Sequence, residues 1–194
     1  QGREITLNTD LKSVAMQYHA AGLNVLPARF KRPLVSGYTT WYTVRQSPIV
    51  VQDWSWNDQT NAIACVIGFG GVRDIEVDGI CDEDTLHAIV DEVMEILPDA
   101  FCFLSGSGRG VHFLIRCDER LPFSSSVVHA GPKIPGRFDH AELRIQKCLS
   151  TLPTSAHESG GTYQAWSTFT GLPTYSAADA LRASAIRETA CTRS

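Results

Sequence analysis

The sequence lacks the features that mark a membrane protein, a disulfide framework or a zinc module. Its longest apolar runs are far shorter than the roughly 20 residues that a membrane-spanning helix needs. The six cysteines include no C-x-x-C pair, so we expect free thiols and no zinc site. No charged and apolar leader stands before the first predicted helix. These absences predict a cytoplasmic protein without a membrane segment.

Positive charge is also scarce. The 194 residues include 17 basic and 21 acidic side chains, which gives a net charge of −4. This balance argues against a protein that coats DNA through a general positive charge, but it allows a local groove that follows phosphates. Seven of the basic residues lie between Arg109 and Lys147, the stretch that also holds His112 and Glu142.

The length suits one domain, or two closely packed modules, with a substantial core. The chain begins with glutamine, which we interpret as the start of an excised part of a longer protein. Helical periodicity predicts helices at 11–21, 49–56, 82–97 and 177–190, with caps at Asn8 or Thr9 and at Ser176. The second of these helices follows Ser47-Pro48, with proline in its first turn. Alternating or continuous apolar runs predict strands at 24–28, 61–68, 72–79, 101–106, 111–117, 141–146 and 148–153. Because strands and helices do not alternate regularly, we predict an α+β fold.

Acidic residues recur on two of the predicted strands. Asp74 and Glu76 in RDIEVD project from one face, since residues two apart in a strand point the same way. Asp78 shares that face but adjoins Gly79, so a place in a turn is the alternative. Glu142 lies on a later strand, in HAELRIQ. Clustered carboxylates repel one another unless a cation or a proton neutralises them. A divalent metal is the simplest neutralising group, and two such ions about 4 Å apart are typical of phosphoryl-transfer enzymes.

The glycine-rich turn SGSGRG, which precedes His112, is a candidate phosphate site. Glycines let backbone N–H groups approach phosphate oxygens closely, and Ser105 and Arg109 add a hydroxyl and a positive charge. A flexible hairpin with a structural histidine is the alternative. Arg144, two residues beyond Glu142, suits either a phosphate contact or a surface ion pair.

Two loops add further polar candidates. Lys31 and Arg32 stand before a proline, where they suit a phosphate or template contact, or a solvated turn. Ser155 and His157 in PTSAH follow the Glu142 strand and suit a nucleotide pocket. Aromatic residues that are able to stack on bases, with packing as the alternative, are Tyr38, Trp41, Tyr163 and Trp166.

The order of these motifs resembles the archaeo-eukaryotic primase superfamily, specifically its prim-pol branch, the bifunctional DNA primase/polymerase N-terminal domain. The matching elements are KRP with Trp41, DIE, SGSGRGVH, ELR, PTSAH and YQAW, which span roughly residues 11 to 170. Two features depart from the family pattern: Glu142 stands where an aspartate is usual, and YQAW is one residue longer than Y-x-W. No cysteines lie between 118 and 139, so no zinc stem is expected.

The resemblance implies an RRM-like catalytic sheet with flanking helices, packed on a smaller α/β module. Residues 1–175 would form the catalytic domain. Residues 176–194 would form a C-terminal helix and tail that lead to a downstream region.

The resemblance also implies roles for individual residues. Asp74, Glu76 and Glu142 would be catalytic and hold two Mg²⁺ or Mn²⁺ ions. Around the incoming triphosphate we expect Lys31, Ser105, Arg109, His112, Arg144, Ser155 and His157. Arg32 and Trp41 would contact nucleic acid. The implied partners are a single-stranded DNA template, a primer, a dNTP or NTP, and a fused or associated helicase.

The main hypothesis is therefore a template-dependent DNA primase/polymerase in the replication of a plasmid, virus or mobile element. We expect Asp74→Ala or Glu76→Ala to abolish primer extension without unfolding the protein. Two alternatives stay open: a non-catalytic single-strand-binding domain of the same fold, and a metal-dependent nuclease. The sequence does not decide between de novo priming and extension, between dNTP and NTP, or among oligomeric states.

Overall fold

The computed structural model describes residues 7–122 and 126–186. The helices in this part of the chain are α1 (Leu7–Ala20), α2 (Pro48–Asp53), α3 (Glu83–Ile96) and α4 (Ala177–Ser184). The strands are β1 (Val25–Arg29), β2 (Arg32–Pro33), β3 (Ala62–Ile67), β4 (Val72–Asp78), β5 (Phe101–Leu104), β6 (Gly110–Arg116), β7 (Val128–Ala130), β8 (His140–Arg144), β9 (Cys148–Thr151) and β10 (Gln164–Ala165). Short 3-10 helices lie at Tyr38–Tyr42 and Phe69–Gly71.

The strands form two antiparallel sheets. The smaller sheet has the order β2-β1-β3-β9, and the larger has the order β10-β5-β6-β4-β8-β7. Strand β4, which carries the acidic residues, lies inside the larger sheet between β6 and β8. The prediction of an α+β fold is confirmed, with a larger sheet packed on a smaller module.

One face of the larger sheet is covered by helices. The apolar stripe predicted for α3 is buried, and it packs with Ile75, Val77 and Phe113 from the sheet. Its members are Leu86, Ile89, Val90, Val93 and Leu97. Helix α4 adds Ala180 and Ala183 to the same core. Because side chains alternate along a strand, this packing turns the even-numbered residues of β4 to the opposite face.

A second core lies between the two sheets. Apolar residues of the smaller sheet, such as Ile63 and Cys65, pack with Phe101, Phe103 and Leu114 of the larger one. The acidic face of β4 is therefore directed toward the junction of the sheets. This arrangement determines which of its side chains reach solvent.

Helices α2 and α3 each begin at a capping side chain. The Ser47 hydroxyl accepts a hydrogen bond from the Val50 N–H, and Pro48 occupies the first turn of α2. The Asp82 carboxylate caps α3 by accepting from the Thr85 N–H at 2.8 Å. Helix α2 is shorter than predicted, because Trp54 adopts an extended backbone and packs its ring against the cores.

Other boundaries differ more. Helix α1 starts at Leu7, so Asn8 and Thr9, the predicted caps, lie inside it. The segment 118–139, for which the sequence predicts no helix or strand, contains strand β7, which pairs with β8. Helix α4 ends at Ser184, and residues 187–190 of its predicted span lie outside the described residues. Within the described ranges, the helices are too short or too polar to cross a membrane.

Candidate active site

The register of three neighbouring strands brings the predicted polar residues together. Glu76 on β4 is paired directly with His112 on β6 and with Glu142 on β8. Asp74, one step away on the same face, is paired with Arg144. Directly paired residues project from the same face of a sheet with their Cβ atoms about 5 Å apart. The structure therefore places three acids, a histidine and an arginine in one group.

Asp74 is at the sealed end of this group. Its side chain is completely buried, and Oδ2 accepts hydrogen bonds from His112 Nδ1 at 3.0 Å and from the Ser150 hydroxyl on β9. Burial alone raises the pKa of a carboxyl, but His112, Arg144 and Ser150 outweigh burial and lower the pKa of Asp74. Asp74 is consequently an ionised, fully enclosed carboxylate that ties the two sheets together.

His112 is held on three sides. Its ring stacks on Phe103, with centroids 4.8 Å apart and planes 7° from parallel. Nδ1 faces Asp74, and Nε2 lies 3.8 Å from Glu76 Oε1. Burial lowers the pKa of the imidazole, but the charges of Asp74 and Glu76 outweigh it and raise the pKa above its usual value. The acids therefore favour the imidazolium form, whose Nδ1 donates to Asp74 and whose Nε2 forms a longer ion pair with Glu76.

Arg144 connects the remaining acids. Its Nε donates to Glu142 Oε1 at 2.7 Å, its Nη1 donates to the Leu149 carbonyl at 2.8 Å, and its Nη2 forms an ion pair with Glu76. Burial raises the pKa of Glu76, His112 and Arg144 oppose that rise, and the pKa stays above the ordinary glutamate value. Glu76 is thus an acid whose charge depends on its cationic neighbours.

A cleft of about 340 Å³ opens at Glu76. Its walls carry both acidic and basic side chains. The lining residues are Lys31, Glu76, Asp78, Gly79, Ser105, Ser107, Arg109, Asp139, His157, Glu158 and Tyr163. A smaller cavity of about 40 Å³ also touches Lys31, Glu76 and Tyr163, and it reaches His112 and Arg144. Four residues of the predicted nucleotide group, Lys31, Ser105, Arg109 and His157, therefore share a cleft with Glu76.

Three predicted site residues lie elsewhere. Ser155 is completely buried, and its Oγ accepts from the Ile63 N–H at 2.8 Å, which joins its loop to β3. Arg32 is exposed at the short strand β2, and Trp41 packs edge-on against Trp54 with ring centroids 6.1 Å apart. Neither Arg32 nor Trp41 belongs to the lining of the two cavities.

The cleft also contains residues that sequence reasoning did not assign to it. The sequence placed Asp78 on the same strand face as Asp74 and Glu76, but its neighbour Gly79 suggested that Asp78 belongs to a turn. Asp139 lies in a segment without periodicity, so no sequence signal placed it. Its backbone N–H donates to the Asp78 carbonyl at 3.0 Å, and Gly79 permits this approach because a Cβ there would lie 2.1 Å from Asp139 Oδ2. Tyr163 is buried and lies between His112 and His157.

Comparison with known families agrees with this geometry. The family described as "bifunctional DNA primase/polymerase, N-terminal" (Prim-Pol) matches residues 15–176. The chain belongs to this family. No curated protein matches the sequence. The matched span of this prim-pol domain runs from within α1 to Ser176, the cap of α4, and so includes every residue of the cleft.

The donor atoms of this prim-pol domain suit a hard divalent cation. Carboxylate oxygens are the ligands that Mg²⁺ and Mn²⁺ prefer. Asp74 Oδ1 is buried and, among the residues described, has no hydrogen-bond partner, and Asp74 lines neither of the two cavities. The positions of these carboxylates suit a cation less well, because the Arg144 guanidinium already contacts both Glu76 and Glu142. Across residues 7–122 and 126–186, no three Asp, Glu, His or Cys side chains are grouped to hold an ion.

Proposed function

We propose that this domain is a template-dependent DNA primase/polymerase that transfers a nucleotide from a (d)NTP to a primer 3′-hydroxyl. The observation that carries the proposal is the cleft, in which Glu76 and Asp78 lie beside Lys31, Arg109 and His157. Cation-binding oxygens and phosphate-binding cations in one cavity are the two requirements of nucleotidyl transfer. The family membership supports the same reaction and implies DNA and nucleotides as substrates.

For the metal ligands we propose Asp74, Glu76 and Glu142, with Asp78 as a further carboxylate. Glu76 and Asp78 face the open cleft, whereas Asp74 is enclosed and would contribute the one oxygen that has no hydrogen-bond partner among the described residues. Bound Mg²⁺ or Mn²⁺ would lower the pKa of the attacking hydroxyl and neutralise the departing pyrophosphate. Glu142 lies beside Glu76 in register but is held by Arg144.

Side chains around these acids bind and orient the nucleotide in this proposal. Lys31, Arg109 and His157 offer positive or donor groups to the triphosphate, and Ser105 adds a hydroxyl at the glycine-rich turn. Arg109 is held in place because its Nε donates to the Ile80 carbonyl at 3.1 Å. Fixed donors of this kind stabilise developing charge without the cost of reorganisation.

His112 is suited to donate a proton or a hydrogen bond toward the cleft. Asp74 fixes Nδ1, so Nε2 is the nitrogen directed to Glu76 and to the small cavity. Its stacked ring and buried partners leave little rotational freedom. A positioned imidazolium at this point would hold a phosphate oxygen during transfer.

Several finer features stay predictions. We propose a single-stranded template, a primer and a helicase, fused or associated, as partners, and a cytoplasmic role in the replication of a plasmid, virus or mobile element. Arg32, on the strand that follows Lys31, is the candidate for a template phosphate contact. Trp41 is a weaker candidate, because its ring is partly buried against Trp54.

The direct test is a labelled primer-template incubated with the protein, dNTPs and Mn²⁺, with and without a chelator. We expect primer elongation that stops when the metal is removed. A separate reaction with NTPs and an unprimed template would show whether synthesis starts de novo. Shortened labelled strands instead of longer ones would favour a nuclease.

One observation favours a second candidate, a non-catalytic single-strand-binding domain. Arg144 neutralises Glu76 and Glu142 without any metal, as it would in a protein whose acids have only a structural role. Binding of single-stranded DNA that is unchanged by chelator, together with no incorporation under any metal condition, would establish this alternative.

A further inference from the structure

The opposed pair Glu76 and Glu142 already contacts a cation, Arg144, in the metal-free protein. Their backbones are paired directly across β4 and β8, where like charges are destabilising. Glu76 is 10% exposed and Glu142 is 20% exposed, so water screens their repulsion only in part. Arg144, itself 23% exposed, supplies the neutralising charge.

The contacts of Arg144 differ in what surrounds them. Nη1 is fixed on the Leu149 carbonyl of β9, and Nε is fixed on Glu142. Nη2 meets Glu76 at the wall of the 40 Å³ cavity, which Lys31, His112 and Leu149 also line, whereas Glu142 is not part of that lining. This space holds a few waters or one ion, since a water needs roughly 10–15 Å³. Of the two carboxylate contacts of Arg144, the one with Glu76 is therefore the one that an incoming ion reaches.

We propose that Arg144 is a resident counter-ion that competes with the metal for Glu76 and is released toward the triphosphate when the metal binds. In the metal-free state the guanidinium holds the carboxylates together. A cation that takes Glu76 leaves Nη2 without its partner, beside the cavity that adjoins the nucleotide cleft. Arg144 is then a positioning residue that makes metal binding and nucleotide binding support each other.

The proposal rests on the proposed function and makes it more specific. By linkage, any interaction that stabilises the metal-free acids lowers the affinity for the metal. Removing Arg144 should consequently tighten binding of the metal alone. A residue that only contacted the nucleotide would leave the affinity for the metal unchanged.

The test is titration of the purified protein with Mn²⁺ alone, followed by the loss of the free-ion EPR signal. We compare wild type with Arg144→Gln and Arg144→Lys, and we use Arg137→Gln as the matched control because Arg137 pairs with Glu92 away from the cleft. Arg144→Gln should bind Mn²⁺ about 5- to 150-fold more tightly, the usual range of coupling between sites. Arg144→Lys keeps the positive charge but loses the planar guanidinium group, so its affinity for Mn²⁺ should lie between those of Arg144→Gln and wild type.

A second titration measures binding of a nucleoside triphosphate in the presence of chelator. Because Glu76 and Glu142 hold Arg144 when no metal is present, Arg144→Gln should change this affinity by less than twofold. A larger loss would show that Arg144 already faces the nucleotide, and would overturn the exchange. Circular dichroism shows whether each variant is folded. If Arg144→Gln does not fold, the comparison of Arg144→Lys with wild type still decides the test.

The possible outcomes separate this inference from the proposed function. If wild type binds Mn²⁺ at a site that Glu76→Gln removes, but neither Arg144 variant binds it more tightly, the counter-ion role is wrong and the metal site stands. If neither wild type nor variants bind Mn²⁺, the proposed function fails and the counter-ion proposal fails with it.

Discussion

The two ends of the acidic face of β4 show how neighbours assign different roles to one type of side chain. Asp74 is enclosed between the sheets and is hydrogen-bonded by His112 and Ser150. Glu76 and Asp78, two and four residues later, line an open cleft. The sealed end holds the sheets together and fixes the histidine. The open end presents carboxylates to solvent and to a ligand.

The difference arises from the strands that cover each end. Strand β9 of the smaller sheet places Ser150 over Asp74 and leaves no exposed surface. Farther along β4, its partner β6 begins at the glycine-rich turn, where Gly110 is paired with Asp78. A Cβ at Gly110 would lie 2.7 Å from the Ser105 Oγ, so the glycine permits the close approach of Ser105, which lines the cleft together with Asp78.

The largest expected effect on stability is at the sealed end. Asp74→Ala removes the partner of a buried imidazole and should lower the free energy of unfolding by about 3–5 kcal/mol. This revises the expectation from the sequence that Asp74→Ala leaves folding intact. Urea unfolding measures the change, and Asp91→Ala on the exposed side of α3 is the matched control, with an expected effect within about 0.5 kcal/mol. Equal stability of the two variants would show that Asp74 has no structural role.

At the open end, Glu76→Gln should separate activity from stability. We expect primer extension to fall by about 10²- to 10³-fold, because a neutral amide no longer neutralises a bound cation. The unfolding midpoint should change little or rise, since burial already disfavours the charge on Glu76. Steady-state extension and urea unfolding on the same preparation measure both quantities. A Glu76→Gln enzyme with wild-type extension would show that this carboxylate is not part of the reaction.

Ser155 tests whether the loop that follows β9 belongs to the sealed or the open region. Because its hydroxyl accepts from a buried backbone N–H, Ser155→Ala should cost about 1–3 kcal/mol of stability. The KM for the nucleotide should stay close to wild type. Ser36→Ala, at an exposed serine, is the control for stability. An increase in KM without loss of stability would instead place Ser155 in the nucleotide pocket.

The smallest effect concerns pH. The pKa of His112 is raised above 6.5, so its contribution to stability is complete below that value and is lost as pH rises through the folded-state pKa. The pKa of Asp74 is lowered below 3.8, so its contribution is present above 3.8 and is lost as pH falls through the folded-state pKa. Stability from this pair should therefore be greatest between about pH 4 and 6.5, and should decline at alkaline pH. Unfolding curves of wild type and His112→Gln across this pH range measure the decline in the free energy of unfolding. If the decline is the same in both proteins, it arises from other titratable groups.

Much of the fold was predictable because the patterns are local. The stripe of α3 and the alternation of β4 are set by residues three, four or two positions apart, and both are present as predicted. The grouping of Glu76, His112 and Glu142 followed from the same alternation on three strands. The end of α2 at Asp53 was not predictable from periodicity, because the packing of Trp54 decides it.

The details of the site depended on contacts between distant residues. Sequence alone did not indicate that Ser150 covers Asp74, since the hydrogen bond joins residues from different sheets. The same holds for Ser155, whose partner Ile63 is remote in sequence. Asp139 enters the cleft through a close approach to Gly79 that no periodic pattern encodes.

The most direct measurement of the central claim is the anomalous diffraction signal of Mn²⁺ in crystals soaked with Mn²⁺ and a nucleoside triphosphate. The account predicts an ion within about 2.0–2.4 Å of a Glu76 oxygen at the open end of β4, with the triphosphate near Lys31, Arg109 and His157. A Mn²⁺ peak elsewhere on the protein, with Arg144 still paired to Glu76 and Glu142 in the presence of the nucleotide, would contradict it.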